Sequence, residues 1–130
     1  MKNSKLKGTA LQDFTPYGKK NKVTELEVID LVVGDGIEVP VGATITAHYT
    51  GALVADGTIF ESSKDYAGNV VTFGLDEVIE GWTKGVPGMK IGGTRRLLIP
   101  AAMAYGSRRA SAMIPANSDL VFDIELFAVE

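Results

Sequence analysis

Residues 76–88 read Asp76-Glu77-Val78-Ile79-Glu80-Gly81-Trp82-Thr83-Lys84-Gly85-Val86-Pro87-Gly88, and this stretch has the one convincing helical periodicity in the sequence. Its apolar residues recur at the spacing that places them on one side of a helix: Val78, Ile79, Trp82 and Val86. The acidic pair Asp76-Glu77 suits the positive N-terminal end of a helix, and Pro87-Gly88 stops it. The stretch therefore predicts one short helix that opens at Asp76 and has one apolar side.

Around this helix, six segments have the pattern of β-strands. The clearest runs from Thr44 to Thr50, where Ile45, Ala47 and Tyr49 share one face and polar residues share the other. The other five segments are residues 25–31, 59–63, 70–73, 94–100 and 120–129. Short strands joined by Gly, Asn and Asp turns, with one helix, predict an α+β domain whose antiparallel sheet wraps its apolar face around the helix.

Charge is divided unevenly along the chain. Residues 1–22 carry six lysines and one aspartate, a balance of +5, so residues 23–130 carry −8, because the whole chain has a net charge of −3. An acidic body would repel phosphates, which argues against nucleic-acid binding by the folded domain. At 130 residues one domain is expected. We expect a basic, weakly ordered extension over residues 1–23 and a single domain over residues 24–130.

The residues that most enzyme classes need are missing. The chain has no cysteine and one histidine, His48, which the strand pattern places on the outward face, opposite to Tyr49. These counts exclude a thiolate nucleophile and a thiolate or two-histidine metal site, and they give no basis for a Ser-His-acid triad. The glycine-containing turns do not match phosphate-binding loops. We therefore expect neither a metal nor another cofactor.

Six short signatures, most of them aromatic or aliphatic residues beside a glycine or proline, follow one another in a fixed order. They are Ala47-His48-Tyr49-Thr50-Gly51, Phe60, Val78-Ile79-Glu80-Gly81-Trp82, Ala104-Tyr105-Gly106, Ile114-Pro115 and Leu120-Val121-Phe122-Asp123. In this order they resemble the FKBP-type peptidyl-prolyl cis-trans isomerases, over about residues 24–130. The resemblance implies an antiparallel sheet curved around one short α-helix. It also implies an enzyme that speeds rotation about X-Pro bonds and assists protein folding.

The resemblance further implies an apolar pocket for the proline ring. Trp82 would form the floor and Val78 and Ile79 a wall, with the backbone N–H of Ile79 donating to a substrate carbonyl. The hydroxyl of Tyr105 would donate to a carbonyl of the ligand. The implied pocket residues are Tyr49, Phe60, Glu61, Val71, Val78, Ile79, Trp82, Tyr105, Ile114 and Phe122, of which Tyr49, Glu61 and Tyr105 are the expected catalytic groups.

Three positions and one segment depart from the family's pattern, and the segment, residues 107–113, replaces a loop usually richer in glycine and proline. Glu61 stands where the family usually has aspartate, so the carboxylate is kept but gains a methylene. Val71 stands where many members have phenylalanine, which should make that side of the pocket shallower. The basic partner of the carboxylate falls at Tyr66, with Lys64 as a substitute. These changes bear on the catalytic rate and on macrolide affinity more than on the fold.

The expected partners are proline-containing polypeptides and rapamycin-type macrolides, and a monomer is the default. No apolar run is long enough to span a bilayer. The N-terminus lacks the apolar stretch of an intact secretory signal. The sequence leaves the compartment open: a cytoplasmic location is the default, and an extracytoplasmic one is expected if an N-terminal signal or anchor was trimmed.

Two alternative functions remain open on the sequence alone. The first is a proline-peptide-binding chaperone with the same pocket and little catalysis, and the second is an adaptor that recruits partners through its basic tail. The position of Arg108 and Arg109, between Tyr105 and Ile114, also has two interpretations. They form a solvated loop tip, or they face the pocket's mouth and attract peptides with acidic residues near the proline.

Overall fold

One antiparallel sheet carries the fold and confirms the predicted α+β class. The structure, a computed structural model, describes residues 14–18, 21–63, 70–107 and 113–130. The elements found in these ranges are β1 Glu27–Val32, β2 Thr44–Leu53, β3 Ile59–Ser62, β4 Val71–Gly74, α1 Glu80–Gly85, β5 Thr94–Ile99 and β6 Leu120–Val129. The strand order is β1-β5-β6-β2-β3, and β4 also pairs with β2.

Strand β2 organises the sheet because it has neighbours along both edges. One edge pairs with β6 over nearly its whole length, and the other pairs with β4 in its first half and β3 in its second. The alternation predicted from sequence holds, because Ile45, Ala47 and Tyr49 are all buried in the main core. Across the ladder Tyr49 lies opposite Ile124, and Gly51 lies opposite Phe122. The core face of β2 and β6 therefore presents aromatic rings towards α1.

Two glycines let helix α1 lie directly against β5. A Cβ on Gly81 would sit 2.5 Å from Cδ1 of Ile99, and a Cβ on Gly85 would sit 2.7 Å from Cδ2 of Leu97. Real Cβ atoms do not approach other carbons this closely, so a side chain at either position would force the helix or the side chains of Ile99 and Leu97 to shift. The close approach buries Trp82 and Val86 in the core.

Helix α1 begins at Glu80, four residues later than the sequence predicts. Ile79, its N-cap residue, has an extended backbone with φ −60° and ψ 152°. The hydroxyl of Thr83 donates a 2.6 Å hydrogen bond to the carbonyl of Leu75, which ties the preceding turn to the helix. Asp76 and Glu77 lie in that turn. The periodicity correctly indicates which residues are apolar on one side, but Val78 and Ile79 precede the helix, Val78 in a bend and Ile79 with an extended backbone.

The opposite face of the sheet is polar at its centre, and much of it is buried. His48 points away from the core as predicted, but it is only 7% exposed, so it is not a surface residue. Its Nδ1 shares a hydrogen bond with the hydroxyl of Ser63, and the ring of Phe127 lies 6.5 Å away. Alternation alone could not reveal this burial, because the covering groups come from elsewhere in the chain.

Beside it on the same face, Arg96 and Asp123 form a buried ion pair. Nε and Nη2 of Arg96 donate to the two carboxylate oxygens of Asp123 at 2.7 and 2.8 Å. The guanidinium also lies over the ring of Phe14, 5.5 Å from its centroid. Tyr17 stacks on Phe14 and donates its backbone N–H to the carbonyl of Val54.

Part of the N-terminal segment thus lies against the domain. Phe14, Tyr17 and Val23 pack on a second apolar cluster whose other members include Val54 and Leu98. Residues 1–13 and 19–20 lie outside the described ranges, so the weakly ordered extension over 1–23 stays a prediction. No α-helix in the described ranges combines the length and apolar character needed to cross a membrane.

Candidate functional site

Trp82 is the centre of a cluster of rings on the core face. Its side chain is 4% exposed and meets three other rings edge to face, with centroid distances of 5.0 Å to Phe73, 5.3 Å to Phe122 and 5.4 Å to Tyr49. Such edge-to-face pairs contribute about 0.5–1.5 kcal/mol each beyond the burial of apolar area. Because every neighbour comes from a different strand, the indole is held in one orientation.

A cavity of about 450 Å³ opens above this cluster. This volume is within the usual range for small-molecule and cofactor sites. Strands β2, β3, β4 and β6 contribute to its walls, together with the turn before α1 and the segment after the 3-10 turn Ala101–Met103. We name this cavity the aromatic bowl; its lining residues are Tyr49, Glu61, Phe73, Glu77, Val78, Ile79, Trp82, Tyr105 and Phe122.

A backbone donor lies on the wall of the bowl. The extended conformation of Ile79 ends just before α1, and its carbonyl already accepts the N–H groups of Trp82 and Thr83. No hydrogen bond from the N–H of Ile79 occurs within the described part of the chain. A buried or half-buried N–H without a protein acceptor needs another one. A ligand carbonyl entering the bowl would supply it.

Tyr105 brings a second donor to the rim. The turn that carries it closes through Gly106, whose φ is +63° and whose N–H donates to the carbonyl of Ala101. Burial against the bowl, and then the negative charge of Glu61, raise the pKa of the Tyr105 hydroxyl above its ordinary value of 10.0. Both effects disfavour the phenolate. The hydroxyl therefore remains protonated and able to donate at neutral pH.

The comparisons with known proteins agree with this geometry. The profile of the family described as FKBP-type peptidyl-prolyl cis-trans isomerase matches residues 36–127. The chain belongs to this family. An FK506-binding protein of Neisseria meningitidis serogroup A is 46% identical to this FKBP chain over 105 residues, which are 80% of this chain and 95% of that protein.

Two further relatives extend the likeness to a eukaryotic isomerase and to a solved structure. Peptidyl-prolyl cis-trans isomerase FPR2 of Saccharomyces cerevisiae is 45% identical to this FKBP over 91 residues, 68% of this chain and 67% of that protein. The crystal structure of AtFKBP13 superposes with a TM-score of 0.73 at 40% identity, covering 84% of this chain and 96% of that one. The FKBP fold expected from the sequence motifs is thus confirmed.

The structure brings seven of the ten implied pocket residues together around the bowl. Phe60 lies behind the lining and packs at 90° against Phe122, with centroids 5.6 Å apart. Ile114 is buried in the core next to the bowl, and Val71 is half-buried on β4 opposite Ala47. The seven that line it are Tyr49, Glu61, Val78, Ile79, Trp82, Tyr105 and Phe122. The role of each of the ten in binding or catalysis stays a prediction.

Two lining residues were missed by the sequence analysis. Phe73 lies on β4 two positions after Val71, so the period-2 rule puts both on the same face, and Phe73 supplies a ring to the bowl there. That signal was present in the sequence. Glu77 reaches the rim from the turn before α1, and no sequence pattern marked it.

Four other residues singled out from the sequence fall outside the described ranges. They are Lys64, Tyr66, Arg108 and Arg109. The expected basic partner of Glu61 therefore stays a prediction. Within the described residues, no group of three or more histidine, aspartate or glutamate side chains is arranged to hold a metal ion.

Proposed function

We propose that the aromatic bowl accelerates rotation about X-Pro bonds by seating the proline ring on Trp82. The observation that carries this proposal is the indole held edge to face by three rings beneath an apolar cavity of about 450 Å³. A rigid apolar floor offers proline a fixed contact surface without any moving part. The roles of the individual residues rest on this geometry and on the family resemblance.

The chemistry follows from the electronic structure of the amide. Resonance disperses charge onto the carbonyl oxygen and gives the bond a rotational barrier of about 18–20 kcal/mol. Twisting the bond breaks the resonance, so the transition state is less polar across the amide than the ground state. An environment without water therefore favours the twisted form, which is selective binding of the transition state. No nucleophile, metal or cofactor takes part in this scheme.

Two donors would hold the substrate while the bond turns. The N–H of Ile79 would bind a carbonyl on one side of the proline, and the protonated hydroxyl of Tyr105 would bind another at the rim. Fixing the flanking carbonyls confines rotation to the bond between them. Glu61, half-buried on β3, would accept hydrogen bonds at the rim in place of the family's aspartate. Natural substrates would be proline-containing polypeptides.

Magnetisation exchange between the cis and trans forms of acetyl-Ala-Leu-Pro-Phe-amide tests the proposal. Micromolar protein should speed the exchange above the spontaneous rate, and a chelator should make no difference. Tyr105→Phe should lower kcat/KM by about two- to tenfold, the effect of one hydrogen bond. Tyr17→Phe is the matched control, because Tyr17 packs on the far face of the sheet. A peptide that binds without faster exchange would identify a binding module and defeat the proposal.

The same bowl should admit rapamycin-type macrolides, which present a rigid apolar ring and carbonyl acceptors. We propose that they bind over Trp82 and compete with proline peptides. We also propose a monomer in solution, since no feature of the sequence demands an oligomer. Competition between a macrolide and the peptide in the exchange assay tests the first point, and sedimentation equilibrium tests the second.

A further inference from the structure

Among the described residues, the charged side chains that line the aromatic bowl are acidic. Two charged side chains belong to the described lining, Glu61 and Glu77, and both are carboxylates. They come from different segments of the chain, β3 and the turn before α1. We name Glu61 and Glu77 the acidic rim, and their charge affects which peptides the bowl accepts.

A third carboxylate strengthens the charge beside Glu77. Oε1 of Glu77 and Oδ1 of Asp76 lie 3.1 and 3.0 Å from the position that a Cβ on Gly74 would take. The two carboxylates are therefore close neighbours over the same glycine, and both are exposed. Like charges at this separation gain when a cation comes between or beside them.

The charge of Glu61 also acts on Tyr105 at the rim. It is the second cause, after burial, of the raised pKa of the Tyr105 hydroxyl. A carboxylate that disfavours a second negative charge at that hydroxyl equally disfavours an acidic substrate side chain there. The −8 balance of residues 23–130 adds a weaker, longer-range attraction for cationic chains.

We propose that the acidic rim makes this isomerase selective for X-Pro segments with a lysine or arginine next to the proline. The proposal rests on the isomerase function proposed above and names its substrate class. The proline ring occupies the apolar floor, and the cationic side chain of the neighbouring residue extends along the wall towards Glu77 and Glu61. The apolar stem of lysine or arginine would contact the ring edges while its charge stays at the solvated rim.

The size of the effect is limited by solvent. Exposed ion pairs are weak, so a preference of about two- to fivefold in kcat/KM is expected at low salt. At 1 M salt the Debye length falls to about 3 Å, and the preference should nearly vanish. The expectation that Arg108 and Arg109 attract acidic peptides has the opposite sign. One set of peptides, with a basic, a neutral or an acidic residue before the proline, therefore distinguishes the two hypotheses.

The test uses three peptides, acetyl-Ala-Xaa-Pro-Phe-amide with lysine, norleucine or glutamate as Xaa, in the exchange assay with the full chain. Norleucine has the straight stem of lysine without the charge, so the lysine-to-norleucine ratio isolates the electrostatic part. We expect a ratio of about two to five at low salt and a glutamate peptide below both. Faster exchange of the norleucine peptide is the readout of the isomerase function itself. A ratio of one with intact norleucine exchange overturns the selectivity alone.

Variants of the acidic residues show which side chains cause the preference for lysine over norleucine. Glu77→Gln should reduce the lysine-to-norleucine ratio, and Glu61→Gln with Glu77→Gln should bring it close to one. Glu80→Gln is the matched control, because Glu80 is exposed on α1 and is held by Lys84 at 2.7 Å, and it should leave the ratio unchanged. A ratio that survives the double replacement, or that falls equally in Glu80→Gln, contradicts the proposal. A preference for the glutamate peptide also contradicts the proposal. If the double variant Arg108→Ala/Arg109→Ala loses that preference for glutamate, the selectivity belongs to those two arginines.

Discussion

The side chain of Ile99 fills the space that a Cβ on Gly81 would need, with its Cδ1 only 2.5 Å from that position. This contact sets the distance between α1 and β5, and so it sets the depth of the tryptophan that follows Gly81 in the chain. The absence of a side chain at Gly81 therefore determines how deep Trp82, the floor of the bowl, lies.

Gly81→Ala should destabilise the protein, although alanine is the better helix former. In an unhindered helix the change from glycine stabilises by about 1 kcal/mol. Here the added methyl overpacks the helix–sheet contact, which typically costs about 1–3 kcal/mol. Urea unfolding should show a net loss of stability together with a change in tryptophan fluorescence. Glu80→Ala, at an exposed position of the same helix, is the control and should change little. A stabilised Gly81→Ala protein would show that the helix moves freely over β5.

Trp82→Leu should keep the fold and weaken binding in the bowl. Leucine retains an apolar side chain in the core but removes the flat surface on which a proline ring would rest. Trp82→Ala should cost about 3–5 kcal/mol of stability, because it empties a fully buried aromatic site. Trp82 is the only tryptophan in the chain, so its fluorescence should change when a macrolide binds to the wild-type protein. Unchanged peptide and macrolide affinity in Trp82→Leu would leave the indole with a purely structural role.

The activity should be retained above pH 10. An ordinary tyrosine is half ionised at pH 10.0, but the pKa of Tyr105 is raised, so its hydroxyl keeps its proton to higher pH. In Glu61→Gln one of the two causes of the raised pKa is gone. The alkaline decline of kcat/KM, scaled to its plateau, should then begin at lower pH than in the wild type. Tyr105→Phe should show no such decline. A wild-type decline that persists in Tyr105→Phe would belong to another group.

Glu61→Asp should tighten macrolide binding. The shorter side chain restores the carboxylate position that the family usually has at the rim and removes a methylene from the mouth of the bowl. Isothermal titration with rapamycin would compare the variant with the wild type, and Glu80→Asp on the exposed face of α1 serves as the control. Equal binding by Glu61→Asp would show that this position does not contact the ligand, and weaker binding would show that the longer side chain of Glu61 favours the ligand.

The two arginine–aspartate pairs of β5 should differ sharply in their contribution to stability. Asp123 is fully buried against Arg96, whereas the side chain of Asp30, the partner of Arg95, is 39% exposed. Asp123→Asn leaves Arg96 as a buried charge without its counter-ion and should cost about 3–5 kcal/mol. Asp30→Asn should cost about 1 kcal/mol or less, since the pair is partly solvated and Arg95 also donates to the carbonyls of Gly85 and Pro87. Equal losses in urea unfolding would contradict this assignment.

The sequence by itself determined the fold class and the family. Alternation in β2 correctly placed Ile45, Ala47 and Tyr49 in the core, because a strand presents successive side chains to opposite faces whatever surrounds it. The order of the glycine- and proline-marked motifs was enough to indicate an FKBP, since each marks a local constraint that the fold imposes. At Gly51, for example, a Cβ would lie 2.9 Å from the ring of Phe60. Seven of the ten implied pocket residues line one cavity, because the motifs that contain them mark constraints of the same fold.

Only the tertiary structure decided which neighbours each residue meets and how deeply it is buried. The pattern placed Val78 and Ile79 on an apolar side but did not show that both precede the helix, in a turn that the hydroxyl of Thr83 joins to the helix through the carbonyl of Leu75. It gave His48 an outward direction but not its burial beneath other parts of the chain. Phe73 joined the bowl and Glu77 its rim because strands distant in sequence pair around β2 and set the turn before α1 beside β3. Periodicity specifies the face of an element, whereas the neighbours that meet that face are fixed only when the sheet closes around the helix.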